Sequence, residues 1–466
     1  MALSDSEQAS RLPASPALLR AWSRLKARLG SAEHLLVQRL AGTMFLIRVA
    51  AAVLAYGSQV LFARWMGSFE FGIYVYVWTW VLLIGQALDL GLATAAQRFI
   101  PEYRKHESFD LLRGYIFGAR WLAVGVAAAV AVIGAGIVRL LQPWLDDYTV
   151  IPLYLACISF PAYALANTQD GISRSYDWVG LGIVPTYIVR QLLLTAFMAA
   201  AYVAGLRVDA VTAMILAGAA IWLAVLGQLI VLKRRLTGHI EPGRKTFQFK
   251  AWLATALPIL LAESFFLFLT HTDILVLQQF RSPDEVAVYY AAAKTLALVA
   301  FIYWSVSATT AHRFSTYHVS GDRAGLAAFL AQAIRWTFWP SFLACALILA
   351  FGYPLLSLFG EDFVQGYAAM FILAVGMLAR AAVGPAERLL NMLGERKQCA
   401  GIYAGAFAVN LGLCVLLIPR IGIEGAATAT SIALVIESIL LFVVARRRLG
   451  LHLFILGKPK SDSSGP

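Results

Sequence analysis

Charged residues are scarce in this chain. They make up 14% of its 466 residues, whereas hydrophobic residues make up 60% and the mean hydropathy is +0.72. Soluble domains carry roughly 25% charged residues, so the composition excludes an ordinary soluble protein and indicates a chain that lies mostly in lipid. The formal net charge is +12. The connections between apolar segments carry most of that charge, which argues for membrane topology and against nucleic-acid binding.

Cysteine is also rare, and no metal-binding or nucleotide-binding motif is present. Cys157, Cys345, Cys399 and Cys414 lie scattered in apolar segments without a CxxC spacing, and the seven histidines form no ligand cluster. The sequence has no P-loop motif, which excludes nucleotide hydrolysis through such a loop. We therefore expect no metal and no cofactor.

Long apolar runs are abundant. A bilayer requires about twenty residues per helical span, and twelve segments meet that length. The spans are predicted at 44–66, 70–92, 114–141, 150–173, 180–205, 210–233, 253–280, 286–311, 330–352, 365–393, 398–419 and 424–446. Lys and Arg concentrate at the N-terminus, in the even-numbered connections and at the C-terminus, which predicts that both termini are cytoplasmic.

The second half of the sequence repeats the first. A shift of 215 positions moves Glu70 onto Glu285 and Tyr74 onto Tyr289, and it moves the Arg-Trp pair at Arg120 onto the pair at Arg335. Each half has six spans, an even number, so both insert with the same orientation and a pseudo-two-fold axis along the membrane normal relates them. Duplicated helical bundles of this kind are typical of transporters.

The predicted organisation has five parts. They are a cytoplasmic basic N-terminal extension (1–43), a first lobe (44–235), a cytoplasmic linker (236–252), a second lobe (253–447) and a cytoplasmic tail (448–466). In the extension, Leu18, Trp22, Leu25 and Leu29 form one apolar helical stripe opposite three arginines. This pattern is typical of a helix on an anionic membrane surface, and a poorly ordered tail is the open alternative.

Several motifs resemble those of the polysaccharide or oligosaccharide flippase family, which includes the Wzx-type O-antigen flippases. They are LFARWMG at 61–67 followed by Glu70, Gly72 and Tyr74, DLGL at 89–92 with Arg98, YYAAA at 289–293 and GIEGAA at 422–427. The resemblance covers about residues 41–450. It implies an all-α, alternating-access membrane exporter within a larger group that also holds multidrug antiporters and the lipid II flippase.

Ionisable residues inside the predicted spans are the candidate site. A charge at mid-bilayer costs about 2.5–3.5 kcal/mol on insertion scales, so such residues face a cavity or a partner. Arg48, Arg190, Lys294 and Arg380 are the cations predicted to line a central cavity for an anionic headgroup. The residues predicted either to carry a coupling ion, H⁺ or Na⁺, or to form structural ion pairs are Glu263, Asp273 and Glu437.

Together these features predict a flippase for a polyprenyl-diphosphate-linked oligosaccharide in the bacterial inner membrane, acting in surface polysaccharide synthesis with membrane lipids and export machinery as partners. A multidrug antiporter and a lipid II flippase are the alternatives within the same larger group. A glycosyltransferase is disfavoured because the external connections are short and lack a DxD spacing. A non-transporting subunit of an export complex also stays open.

Overall fold

The computed structural model describes residues 16–455 and, among these, the side chains from residue 47 onward except 48, 262, 308, 309, 311, 312, 315, 318 and 319. All regular structure in this part of the chain is helical. The helices are α1 (Pro16–Ala87), α2 (Leu92–Lys105), α3 (Phe109–Leu141), α4 (Asp147–Arg174), α5 (Val179–Val184), α6 (Arg190–Val203), α7 (Ala210–Thr237), α8 (Phe249–Phe280), α9 (Pro283–Leu296), α10 (Ala300–Ser320), α11 (Arg323–Ala350), α12 (Gly352–Ser357), α13 (Tyr367–Val383), α14 (Ala386–Met392) and α15 (Arg396–Leu449).

Helix α1 folds back on itself at Gly67. This glycine has φ 78° and ψ 170°, a conformation outside the helical region that glycine adopts readily. The ring centroids of Phe62 and Tyr74, which flank the turn, lie 6.2 Å apart. In a straight helix twelve residues would span about 18 Å. The two arms of α1 are therefore separate passes joined by a tight turn.

Helix α15 reverses in the same way at Gly422, where φ is 61° and ψ is −132°. A side-chain carbon on Gly425 would lie 2.7 Å from the Leu417 carbonyl, although eight residues of straight helix span about 12 Å. Ten stretches of the described chain are long and apolar enough to cross a membrane. Dividing the two reversed stretches, Val49–Lys105 and Arg396–Leu449, gives the twelve predicted passes.

Several predicted spans are interrupted. The second pass breaks at residues 88–91 before α2, and there the Asp89 carboxylate accepts hydrogen bonds from the backbone N–H groups of Gly91 at 3.0 Å and Ala93 at 3.2 Å. A π turn, Pro185–Val189, joins α5 to α6, and a 3-10 turn, Ala297–Val299, joins α9 to α10. Hydropathy does not reveal these breaks, because the residues at them are largely apolar.

The repeated residues occupy equivalent places in the two halves. The Glu70 carboxylate accepts a hydrogen bond of 2.9 Å from the backbone N–H of Ala210, at the start of α7. The Glu285 carboxylate lies beside Gly422, at the start of the second arm of α15. In each half the repeated glutamate therefore lies at the N-terminus of the last helix, where a negative charge is favourable.

Short connections make successive passes antiparallel, so the bundle has two ends. We call them the Gly67 end and the Lys105 end, after the connections at residues 67 and 105–109. One buried apolar cluster contains residues of both halves, including Phe62, Phe71, Val286 and Phe363. Two further clusters are assigned mainly to one half each. A buried cluster shared by the halves therefore reaches the Gly67 end.

Candidate functional site

Arg190 is the first residue of α6 and follows the π turn. Its Nε donates a hydrogen bond of 3.1 Å to the Thr186 carbonyl, and its guanidinium carbon lies 5.3 Å from the centre of the Trp78 ring. The side chain is half-buried and forms no ion pair with any described residue. Thirteen residues, about 20 Å of helix, separate it from the end of α6, which puts it near mid-membrane. π turns occur frequently at functional sites.

Lys294 approaches the same place from the second half. Its Nζ lies 5.1 Å from the centre of the Tyr290 ring, and Tyr290 is in turn within electrostatic range of Arg190. Lys294 is eleven residues, about 16 Å, from the start of α9, near the middle of a hydrocarbon core of about 30 Å. The structure therefore brings two of the four predicted cations to either side of Tyr290, at the junction of the halves.

Two further tyrosines lie near Arg190. Tyr74 and Tyr163 of the first half are both within electrostatic range of Arg190. Tyr74 also stacks on Trp78, with ring centroids 6.2 Å apart. Sequence reasoning did not select Trp78, Tyr74 or Tyr163 as site residues. The nearest signal was Tyr74, which the internal repeat places on Tyr289 without showing what it contacts.

Asp273 lies behind Lys294 and is fully supplied with hydrogen-bond donors. Its carboxylate accepts bonds from the Tyr289 hydroxyl at 2.5 Å, the Thr430 hydroxyl at 3.0 Å and the backbone N–H of Ile274 at 2.9 Å. Asp273 is 5% exposed and within electrostatic range of Lys294. Its buried negative charge therefore partly compensates the Lys294 ammonium, whereas Arg190 has no ion-pair partner among the described residues.

Arg380 belongs to a different environment, inside the second half. Its Nη2 lies 3.6 Å from the Glu437 carboxylate, and its guanidinium lies between the rings of Phe266, at 5.1 Å, and Tyr303, at 4.9 Å. Glu437 is completely buried. Because Arg380 already has a counter-ion and two aromatic faces, its charge is compensated within the fold. The third predicted cation is thus held in a structural pair.

The remaining candidates lie apart from these groups. The Glu263 carboxylate of α8 accepts a bond of 3.3 Å from the Thr94 hydroxyl of α2, joining the halves towards the Lys105 end. The side chain of Arg48 lies outside the described residues, so its predicted place in the cavity stays a prediction.

The halves are bonded to each other at the Gly67 end. Arg64 donates two bonds of 2.7 Å to the carbonyls of Ser357 and Leu358, at the C-terminus of α12. The Ser68 hydroxyl donates to Asp284 at 2.5 Å. Deeper in the bundle, beside Lys294, the hydroxyls of Tyr56 and Thr295 lie 3.1 Å apart. Sequence analysis noted Arg64 only as part of a motif.

The start of α8 supplies contacts between the halves towards the Lys105 end. Trp252 donates a bond of 2.9 Å from Nε1 to the Tyr103 hydroxyl and packs in an apolar cluster whose other members come mostly from the first half. Helix α8 therefore begins against the first half and ends in the cluster that the halves share, which makes it the element that crosses between them.

Comparison with known proteins gives the family and the fold. The sequence model of the family described as polysaccharide biosynthesis protein matches residues 39–314, and that of the MatE family matches residues 258–416. An uncharacterized transporter of Bacillus subtilis (strain 168), YisQ, is 26% identical over 224 residues, which are 46% of this chain and 48% of the relative. The chain thus spans about half the length of this curated relative.

Solved structures share the fold over most of the chain. The lipid II flippase MurJ, in an inward closed conformation, has a TM-score of 0.69 at 15% identity and covers 87% of both chains. An inward-facing multidrug resistance MATE family transporter of the MOP superfamily has a TM-score of 0.66 at 15% identity, covering 87% of this chain and 94% of its own. The predicted all-α, multi-pass transporter fold is confirmed.

Proposed function

Because this chain belongs to the polysaccharide biosynthesis protein family, we propose that it moves a polyprenyl-diphosphate-linked oligosaccharide across a membrane. The observation that carries the proposal is the pair of half-buried cations, Arg190 and Lys294, on either side of Tyr290 where the halves meet. A charge at this depth is costly unless a partner compensates it. A diphosphate headgroup that enters from the membrane surface is such a partner.

The two cations suit a diphosphate in different ways. Arg190 offers a planar fork of N–H donors that can bind two phosphate oxygens at once, whereas Lys294 offers a compact point charge. The tyrosine hydroxyls and aromatic faces around them suit the first sugar of the glycan, which needs hydrogen bonds and an apolar ring face. The prenyl chain stays in the surrounding lipid while the polar head crosses between the halves.

Transport then requires the two ends of the bundle to open in turn. In the present conformation Arg64 and Ser68 bond the halves together at the Gly67 end, and Tyr56 bonds to Thr295 deeper in the bundle. Breaking these few contacts, and bringing the halves together at the Lys105 end, would expose the cations to the opposite side. Rocking of one half against the other about a fixed central site is the general mechanism of duplicated transporters.

We further propose the bacterial inner membrane as the location, with the Lys105 end cytoplasmic. Basic residues cluster at this end, including Arg104 and Lys105 in the last turn of α2 and Lys233 to Arg235 in α7, as the positive-inside rule requires of a cytoplasmic face. The lipid-linked donor would then enter from the cytoplasm and leave at the Gly67 end, towards the machinery that polymerises or exports surface polysaccharide.

Asp273 is the residue that we assign to ion coupling, because of the three predicted candidates it lies nearest the cation pair. Asp273 is close to Lys294, so a change in its charge would directly alter how strongly Lys294 attracts a diphosphate. Glu437 is less suited because Arg380 holds it, and Glu263 lies apart from the cation pair. We assign Asp273 this role for H⁺ or Na⁺ within the proposal.

A lipid II flippase is the second candidate, because the fold of MurJ matches this chain and lipid II presents the same polyprenyl diphosphate. A multidrug antiporter has less support, since its typical cationic substrates would be repelled by Arg190 and Lys294. The two diphosphate candidates differ in the attached sugar, so the substrate has to be identified chemically.

The test is mass spectrometry of polyprenyl-linked sugars in cells depleted of this protein. We expect a complete oligosaccharide on its polyprenyl diphosphate to accumulate while surface polysaccharide falls, and lipid II to stay constant. Accumulation of lipid II instead would select the second candidate. No change in either lipid would contradict both. Complementation with Arg190→Gln should fail, whereas Arg335→Gln, which removes an exposed charge away from the site, should succeed.

A further inference from the structure

The linker between the halves, residues 238–248, is fixed to the start of α3. The Arg113 guanidinium donates bonds of 2.9 Å and 3.0 Å to the carbonyls of Arg244 and Glu241, and it also pairs with Asp110. The backbone N–H of Thr246 donates a bond of 3.0 Å to the Asp110 carbonyl. The segment predicted from the sequence as the linker is therefore bound along one helix.

Two glycines one turn apart make room for this contact. A side-chain carbon on Gly114 would collide with the Thr246 carbonyl. A side-chain carbon on Gly118 would meet Phe247 at 3.0 Å and Phe249 at 3.1 Å. A GxxxG spacing in a membrane helix usually admits a second helix. Here it admits the extended linker and the aromatic rings that follow it.

The seated linker builds an exposed surface of aromatic rings and basic groups, which we call the α3 surface (Phe117, Trp121, Arg244, Lys245, Phe247 and Phe249). Lys245 Nζ lies 3.9 Å above the Phe117 ring, and that ring lies 6.0 Å from Trp121 and 6.5 Å from Phe247. Phe247 and Phe249 are stacked at 5.4 Å. Trp121 is 61% exposed and Phe117 is 40% exposed, so the rings face the surroundings of the protein.

The charge of this surface is positive. Arg244, Lys245 and Lys250 are all exposed. Asp110 of α3 is paired with Arg113, and Glu241 is the only acidic residue of the linker. Below the rings, α3 continues as an apolar helix that is exposed along most of its length, so acyl chains would surround it. Aromatic rings and lysines at such a level are typical of a membrane–water interface.

We propose that the α3 surface binds the headgroup of an anionic phospholipid. The lipid phosphate contacts Arg244 and Lys245, the rings of Phe117 and Trp121 pack on the glycerol and upper acyl region, and the chains follow the exposed face of α3. Because the linker is the covalent connection of the halves, a bound lipid fixes this connection to the first half. This site is separate from the Arg190–Lys294 pair and does not depend on its substrate.

The test compares lipid retention by full-length variants purified from nanodiscs of equimolar phosphatidylglycerol and phosphatidylcholine, measured by native mass spectrometry. The variant Arg244→Gln/Lys245→Gln leaves the backbone carbonyl that Arg113 uses. We expect it to bind phosphatidylglycerol about thirty-fold more weakly, since each basic group near an anionic surface contributes about a factor of five. The matched control, Arg446→Gln/Arg447→Gln, removes two exposed charges from the end of α15 and should bind as the original chain does.

Three results would overturn the proposal. The first is unchanged phosphatidylglycerol binding by the Arg244/Lys245 variant. The second is an equal loss in the Arg446/Arg447 control, which would indicate general charge attraction. The third is equal retention of phosphatidylcholine by the original chain. Phe117→Leu, which keeps an apolar side chain but removes the ring beneath Lys245, should weaken phosphatidylglycerol binding and leave the unfolding temperature unchanged.

Discussion

Arg190 and Lys294 differ in how much of their charge the protein itself compensates. Lys294 has the buried carboxylate of Asp273 within electrostatic range. Arg190 has the Thr186 carbonyl and the face of Trp78, which are weaker partners for a full positive charge. An anionic headgroup therefore gains more interaction free energy from Arg190 than from Lys294, because the charge of Arg190 is the less compensated of the two.

The first prediction concerns this arginine. Arg190→Gln should lower export of the lipid-linked substrate by about ten- to a hundred-fold, the value of a charge-assisted hydrogen bond. Arg190→Lys should lie between this variant and the original chain, because it keeps the charge but loses the planar fork. The measurement is the surface polysaccharide restored in depleted cells at matched protein level. Full export by Arg190→Gln would contradict the role given to this residue.

Arg380 and Glu437 lead to a prediction about stability. Removing one member of a buried ion pair leaves the other uncompensated, which costs about 3–5 kcal/mol. Glu437→Gln should therefore lower the unfolding temperature in detergent well below that of the original chain. The double variant Arg380→Met/Glu437→Leu, which removes both charges, should recover most of that loss. Equal stability of Glu437→Gln and the original chain would show that the pair contributes little.

At the scale of elements, the interruptions of the helices carry much of the architecture. The Asp89 carboxylate bonds to the backbone of Gly91 and Ala93 where the second pass breaks, and a π turn directly precedes Arg190. Such breaks re-aim the side chains that follow them. In helix α3 the absence of side chains at Gly114 and Gly118 leaves the space in which the linker packs.

The contact between the linker and α3 predicts how a substitution at Gly114 changes proteolysis. Gly114→Ala adds a side chain where the Thr246 carbonyl lies, so the linker must move away from α3 and lose its bonds to Arg113. Trypsin cleavage after Arg244 and Lys245 should become about fivefold faster for each hydrogen bond lost. Gly125→Ala in the same helix meets nothing within 4 Å and should leave cleavage unchanged. Equal cleavage of both variants would contradict the described contact.

At the scale of the whole molecule, two kinds of contact hold the bundle together: contacts within each half, and contacts between the halves at the Gly67 end. Glu70 and Glu285 lie at equivalent positions, each at the N-terminus of the last helix of its half. These contacts are therefore made within each half. The bonds of Arg64 and Ser68 to the other half belong to the relation between the halves. Alternating access therefore has to break the contacts between the halves and preserve the contacts within each half.

A disulfide across the Gly67 end tests that distinction. Ser68→Cys with Asp284→Cys should cross-link on mild oxidation, because the two side chains are in hydrogen-bond contact. The cross-linked protein should stop transporting, and reduction should restore transport. Ser68→Cys alone controls for oxidation of the four natural cysteines, all of which are buried. Transport by the fully cross-linked protein would contradict opening at this end.

Hydropathy was enough to predict the twelve passes, because lipid requires continuous apolar helices, and the repeated glutamates and tyrosines predicted the two halves. The pairing of Arg380 with Glu437 was not predictable, since it depends on which faces of α13 and α15 meet. The contact between the linker and α3 was not predictable for a similar reason. Gly114 and Gly118 indicate close approach, but their spacing does not identify the approaching segment.

The most direct test of the cationic site is a flipping measurement with purified protein. Full-length chain is reconstituted in liposomes with the lipid-linked oligosaccharide identified in depleted cells, and an impermeant glycosidase reports how much of it reaches the outer leaflet. We predict rapid exposure with the original chain and with Arg335→Gln, and almost none with Arg190→Gln/Lys294→Gln. Equal exposure by this double variant would contradict a transport site built on Arg190 and Lys294.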